Sequence, residues 1–106
     1  NILELYEGGL IMVHEIKCPE LKDMVANGGQ LIDVRSNMEF SRGALESAIN
    51  LPIESFPHSV NTIDKQKPVM LYCVSGARAN MVKQFLESLG FNYVYNLGGI
   101  SQLSHC

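Results

Sequence analysis

The chain has 106 residues, 46% hydrophobic and 18% charged, enough apolar material for one compact core and too little length for two. A formal net charge of −3, with eight Lys and Arg scattered along the chain, offers no basic stripe for a nucleic-acid backbone and excludes nucleic acid as an expected partner. No stretch reaches the roughly 18 apolar residues of a membrane span, and the apolar run Leu10 to Val13 follows acidic Glu4 and Glu7 instead of the basic flank of a leader. No membrane partner is expected, and the cytoplasm is the expected location. Cys18, Cys73 and Cys106 are widely spaced and odd in number, so a disulfide framework is not expected and at least one thiol should be free. The chain begins with Asn1 and reads as a fragment or processed product, with Met12 available as a start.

In chain order, Ile2, Leu5 and Tyr6 stand at helical spacing before Gly8 and Gly9, which suggests a short helix or a tether. Residues 1–12 are therefore read as an N-terminal extension and residues 13–106 as the folded domain. Val13 to Ile16 reads as a short strand. Cys18-Pro19-Glu20 then opens a helix with proline in its first turn and Leu21, Met24 and Val25 on one face, stopped by Gly28-Gly29. Leu31 to Val34 and Ala48 to Leu51 read as buried strands, with a short helix between Ser36 and Gly43. From Glu54 to Asp64 a small helix interrupted by Pro57 is expected.

Val69 to Tyr72 is a continuous apolar run entered through Pro68, as in a central parallel strand. The clearest helix follows, with Met81, Val82, Phe85, Leu86 and Leu89 in helical period and Gly90 as its stop. Tyr93 to Tyr95 supplies the last strand, and a turn or short helix begins near Leu97. Alternating strands and helices predict an α/β fold: an open, mostly parallel sheet of about five strands with helices on both faces. Ligands of such sheets bind beyond the carboxyl ends of the strands, which directs attention to the strand-end loops.

One of these loops, Cys73-Val74-Ser75-Gly76-Ala77-Arg78, lies between the most apolar strand and the clearest helix. A thiol there faces unpaired N–H groups and the positive end of a helix dipole, which both favour the thiolate. Arg78 adds a positive charge, Gly76 permits the backbone to curl its N–H groups into an anion-binding nest, and Ser75 offers a hydroxyl. An isolated cysteine after an apolar strand is commonly an inert buried residue. The grouping of Ser, Gly and Arg around this one favours a nucleophile. Arg78 has two readings at this stage, as a direct substrate contact or as an ion-pair partner of Glu39 or Asp33. Those two carboxylates are read as structural hydrogen-bonding groups rather than acid/base catalysts.

Four ordered segments give the chain a resemblance to the rhodanese homology domain in its single-domain sulfurtransferase form, across roughly residues 13 to 104. They are Leu31-Ile32-Asp33-Val34-Arg35 with Glu39-Phe40, Gly43 to Pro52, the Cys73 to Arg78 loop, and Asn96-Leu97-Gly98-Gly99-Ile100. The resemblance implies that Cys73 forms the family's catalytic persulfide, and that Val74, Ser75, Gly76, Ala77 and Arg78 cradle the bound sulfur. It also implies that Arg35 is the family's arginine near the site. The implied partners are a small sulfur donor, thiosulfate or a persulfide, and a thiol or cyanide acceptor, with a protein acceptor as a further option. No metal or other cofactor is implied. The chain departs from the pattern at Ala44, where histidine is frequent, at Leu45-Glu46-Ser47, which replaces a small-Pro-Gly turn, and near Leu103, where tryptophan is usual.

Two rivals share these residues. A cysteine phosphatase also combines a thiolate with an arginine, but its loop resembles C-x5-R, whereas four residues separate Cys73 from Arg78. A non-catalytic rhodanese-like module, acting as sulfur carrier or interaction domain, would not need the complete loop. His14, His58 and His105 lack metal-ligand spacing and are read as surface residues. Cys18 and Cys106 are read as idle thiols, with resolution of an oxidised Cys73 as the alternative.

Overall fold

The apolar run from Val69 to Cys73 has no polar face, so it is stable only where both of its sides are covered. The computed structural model describes residues 16–103 and 106, and the backbone of 2–6 and 9–13, and it places this run in the interior of a parallel sheet. Strands β1 (Ile2–Tyr6) and β2 (Gly9–Val13) come first, followed by α1 (Cys18–Ala26), β3 (Gln30–Asp33), α2 (Asn37–Ser41) and β4 (Ile49–Asn50). After two 3-10 turns, Ile53–Ser55 and His58–Thr62, come β5 (Val69–Cys73), α3 (Ala77–Ser88) and β6 (Val94–Gly99), and a last 3-10 turn spans Ile100–Leu103. The sheet order is β4-β3-β5-β6, all parallel, and no residue of β5 is more than 1% exposed.

Alternation along β5 divides the core in two. Val69, Leu71 and Cys73 face a cluster with Ile32, Val34, Ala79, Val82 and Leu86, covered by α3. Met70 and Tyr72 face the other side, where Leu21 of α1, Leu31 and Leu103 close over them. Helix α3 buries Ala79, Val82 and Leu86, a stripe with the spacing of one helical face. Pro19 sits in the first turn of α1, where its missing N–H costs no hydrogen bond. Helix α2 is short enough to need its cap: Ser36 Oγ accepts from Glu39 N–H at 3.1 Å, and Glu39 Oε1 accepts from Ser36 N–H at 2.9 Å.

The fold confirms the α/β class and the helices on both faces, and it corrects several details. The parallel sheet has four strands, not about five, because β2 pairs antiparallel with β1 in a separate two-stranded sheet. The short helix or tether expected near the start is this hairpin, in which β2 ends at Val13, and His14 and Glu15 of the strand expected from Val13 to Ile16 lie outside the described residues. Ile2, Leu5 and Tyr6 fit helical spacing, but Leu3 and Leu5 also alternate with Ile2, Glu4 and Tyr6, and five residues do not separate the two periods. Around Pro57 the chain forms two 3-10 turns instead of an interrupted helix. Met81 and Leu89, expected on the apolar face of α3, are exposed, because burial follows the stripe through residues 79, 82 and 86. His58 is exposed as expected, whereas His14 and His105 lie outside the described residues. Among the described residues no helix is long and apolar enough to cross a membrane.

The cysteines carry the largest correction. Cys18 and Cys106, expected to be idle thiols, are joined in a disulfide that ties the start of α1 to the last residue, while Cys73 is free and buried. Their 88-residue separation conceals from sequence reasoning that the fold brings their Cα atoms to 5.2 Å. Cys106 packs against the Leu21, Met70 and Tyr72 cluster, on the opposite side of β5 from Cys73, which removes it as a resolving thiol. Closing so long a loop restricts the unfolded chain, so Cys18→Ser is expected to lower the unfolding free energy by about 2–4 kcal/mol relative to the oxidised protein. Denaturant midpoints with and without reductant measure this. The reductant should shift the wild type and leave Cys18→Ser unchanged.

Candidate active site

Cys73 ends β5 and α3 begins at Ala77, so three residues turn the chain from strand to helix. Gly76 makes the turn at φ +92°, in the left-handed region that side chains disfavour. Its N–H donates to Cys73 Sγ at 3.0 Å, and its carbonyl accepts from Asn80 N–H at 2.9 Å to start the helix. The sulfur therefore lies at the N-terminal end of α3, where first-turn N–H groups lack intrahelical partners and the helix dipole is positive. Val74, Ser75 and Ala77 are exposed on the outside of the turn. Ala77 N–H donates to Ser75 Oγ at 3.4 Å.

The end of β6 supports this turn from behind. Leu71 is paired with Asn96 but Cys73 with Gly99, a shift in register that lets β6 bulge beside the loop. Asn96 Nδ2 donates to the Gly76 carbonyl at 3.0 Å, while Asn96 Oδ1 accepts from Gly98 N–H at 2.9 Å. Gly99 lies so close that a Cβ at this position would collide with the Val74 carbonyl. A side chain at Gly76 would in turn press on Gly98 Cα at 3.2 Å.

Arg35 and Arg78 are each held by a carboxylate. Arg78 Nη1 donates to Glu39 Oε1 at 2.8 Å and Arg78 Nη2 to Glu39 Oε2 at 3.1 Å, a two-pronged ion pair that ties α3 to α2. The hydrogen bonds from Arg78, and then the one from the Ser36 backbone, hold the Glu39 carboxyl down to about 2. Glu39 in turn raises the Arg78 guanidinium above its ordinary value, with a smaller contribution from Cys73. Arg35 Nε and Nη2 donate to the Asp33 carboxylate at 2.6–3.0 Å, and Nη2 also donates to the Gly43 carbonyl at 2.7 Å. The guanidinium stands 5.7 Å from the centre of the Tyr72 ring, and its charged form is favoured chiefly by the Asp33 hydrogen bond. Burial pushes the Tyr72 hydroxyl up to about 12, and its oxygen accepts from Leu45 N–H at 3.1 Å.

A family model described as "Rhodanese-like domain" matches residues 18–106. The chain belongs to the rhodanese-like family. It is similar to a sulfurtransferase of Allochromatium vinosum, 33% identical over 83% of this chain and 84% of the relative. It is also similar to the thiosulfate sulfurtransferase GlpE of Shewanella oneidensis, 31% identical over 70% of this chain and 73% of the relative. A crystal structure of a Staphylococcus saprophyticus protein superposes with a TM-score of 0.71 at 29% identity, covering 85% of this chain and 92% of that one.

Within this rhodanese-like fold the loop residues Cys73 to Arg78 come together as a unit, whereas Arg35 bonds to Asp33 and Gly43 and interacts with Glu39, the partner of Arg78, only through its charge. Expected near the site as a substrate contact, its guanidinium is spent on Asp33 and Gly43 and lies over Tyr72, which faces away from Cys73 on β5. There it holds the Gly43 carbonyl, and Tyr72 beneath it holds Leu45 N–H. Sequence reasoning also missed Asn96 as the residue that grips the loop. Its only signal was the Asn-Leu-Gly-Gly pattern, whose contacts with residue 76 are remote in sequence. Of the two ion-pair partners considered for Arg78, the structure selects Glu39.

The Glu39–Arg78 pair has a pH signature. Because the carboxyl's folded value, about 2, lies below its ordinary value of 4.5, the stability it contributes is present above the unfolded value and is lost as pH falls toward 2. The stability difference between wild type and Glu39→Gln should therefore be constant from about pH 7 to about pH 5 and close at lower pH. Denaturant midpoints of both proteins across this range measure it. A difference that persists unchanged near pH 3 would contradict the ion pair.

Proposed function

We propose that the protein is a sulfurtransferase in which Cys73 carries sulfane sulfur as a persulfide between a donor and a thiol or cyanide acceptor. One observation carries this reading: a buried, disulfide-free cysteine whose sulfur receives the Gly76 N–H at 3.0 Å at the N-terminal end of α3. The membership of the family and the sulfurtransferase relatives support it.

The chemistry divides into two displacements at sulfur. The Cys73 thiolate attacks the outer sulfur of the donor, the donor's S–S bond breaks, and the leaving group departs with the electron pair, as sulfite from thiosulfate or as a thiolate from a persulfide. In the second step the acceptor attacks the outer sulfur of the Cys73 persulfide, and Cys73 leaves as the thiolate. Atoms and charge balance without a redox partner. The N–H groups of residues 74–78 and the dipole of α3 would stabilise the anionic sulfur in both steps. Asn96, Gly98 and Gly99 would act as positioning residues that keep those N–H groups aimed at it.

Initial rates with donor and cyanide varied together should give parallel double-reciprocal lines, because the first product leaves before the acceptor binds. Cys73→Ser should lower turnover by about 10³-fold or more, while Cys18→Ser and Cys106→Ser retain it. Turnover retained in Cys73→Ser would overturn the assignment.

A further inference from the structure

Of the chain's three arginines, Arg35 pairs with Asp33 and Arg78, in the Cys73 loop, with Glu39, whereas Arg42 is exposed at the C-terminal end of α2 and donates to Met38 Sδ. The loop from Cys73 to Arg78 contains no other cationic side chain. What remains there to attract an anion is the backbone N–H groups and the end of the α3 dipole, equivalent to roughly half a charge. Thiosulfate brings two negative charges to a thiolate that already carries one. A protonated persulfide, RSSH, brings none at its reacting sulfurs.

Glu39 is held in its neutralising position from two directions, by Arg78 and by the cap of α2. The cap does not need a charge, since glutamine serves equally at that position. Beyond that cap, what the carboxylate supplies and glutamine would not is the negative charge that both holds and cancels the Arg78 guanidinium.

We propose that Glu39 is a donor-specificity residue: by neutralising Arg78 it leaves the mouth of the Cys73 loop without a net cation, so that the site takes a persulfide in preference to thiosulfate. This inference rests on the sulfur-transfer reading above and narrows its donor class. In the favoured loading step the Cys73 thiolate bonds to the outer sulfur of RSSH, the donor S–S bond breaks, and RS⁻ leaves while the proton stays on the transferred sulfur.

The test is the second-order rate constant for loading Cys73, read by rapid quenching and intact-protein mass spectrometry. The donors are thiosulfate and 2-hydroxyethyl persulfide, which has no charged group besides its ionisable persulfide and transfers its outer sulfur from the protonated form, RSSH. The proteins are wild type, Glu39→Gln and Glu39→Gln/Arg78→Gln. Thiosulfate loading should rise by about tenfold or more in Glu39→Gln and lose that gain in the double variant, because the gain acts through the released guanidinium. Loading by the persulfide, compared at one pH, should change by less than about threefold, since the RSSH that reacts is neutral and insensitive to that charge. An unchanged or reduced thiosulfate rate in Glu39→Gln, or an equal rise for both donors, would overturn the inference while leaving sulfur transfer intact. Loading by neither donor in any protein would overturn the sulfur-transfer reading, and the inference with it.

A second measurement needs no variant. Raising NaCl from about 10 mM to about 200 mM should leave the wild-type thiosulfate rate unchanged or increase it, because screening relieves repulsion from a loop whose arginine is already paired. A severalfold fall would show that an unpaired positive charge is attracting the donor.

Discussion

The backbone of Gly99 lying against the Val74 carbonyl is the constraint on which the site depends. It requires β6 to end without a side chain and to bulge past β5, so that Cys73 meets Gly99, one residue later than regular pairing would allow. The bulge brings Asn96 to the Gly76 carbonyl, and Gly76 turns its N–H onto the Cys73 sulfur. Helix α3 starts from the same carbonyl, and its dipole is thereby aligned with the thiol. Strand, loop and helix are thus fixed by backbone contacts at one point. The proposed sulfur transfer would draw on amides more than on side chains, and Val74, Ser75 and Ala77 are exposed around the turn.

The sheet places the proposed nucleophile and the stabilising contacts on opposite faces. On one face, Cys73 and the strand residues before it pack under α3. On the other, Tyr72 is clasped by Arg35, its hydroxyl accepts from Leu45, and the Cys18–Cys106 disulfide ties α1 to the chain end. Consecutive residues of β5 serve the two faces, since side chains alternate along a strand. A buried arginine is tolerated on the structural face because Asp33 and the Gly43 carbonyl satisfy it. At the mouth of the site, the partly exposed Arg78 is equally committed, but to a carboxylate that a small change would neutralise.

The features legible in sequence were those with strong local signals. Val69 to Cys73 is apolar throughout, α3 shows a sustained period and ends at Gly90, and the Cys73 to Arg78 loop concentrates its thiol, glycine and arginine in six residues. The features that were missed depend on contacts between distant residues. Nothing local distinguishes a cysteine that will meet another 88 residues away, and the grip of Asn96 on residue 76 appears only when β6 lies beside β5. Arg35 was placed near the site by family likeness. The alternation of β5, which puts Tyr72 and its arginine on the face away from the thiol, decides its actual surroundings. The opening hairpin was missed for a different reason, because its short strands fit both periods.

The central claim is that the sulfur held at the start of α3 is the atom that carries the cargo. Intact-protein mass spectrometry after brief exposure to a persulfide donor tests it most directly, with wild type and Cys73→Ser treated in parallel and cyanide added to half of each sample. The account predicts a gain of one sulfur atom's mass on the wild type alone, removed by cyanide. A cyanide-labile gain on Cys73→Ser, or none on the wild type with any sulfane-sulfur donor, would contradict it.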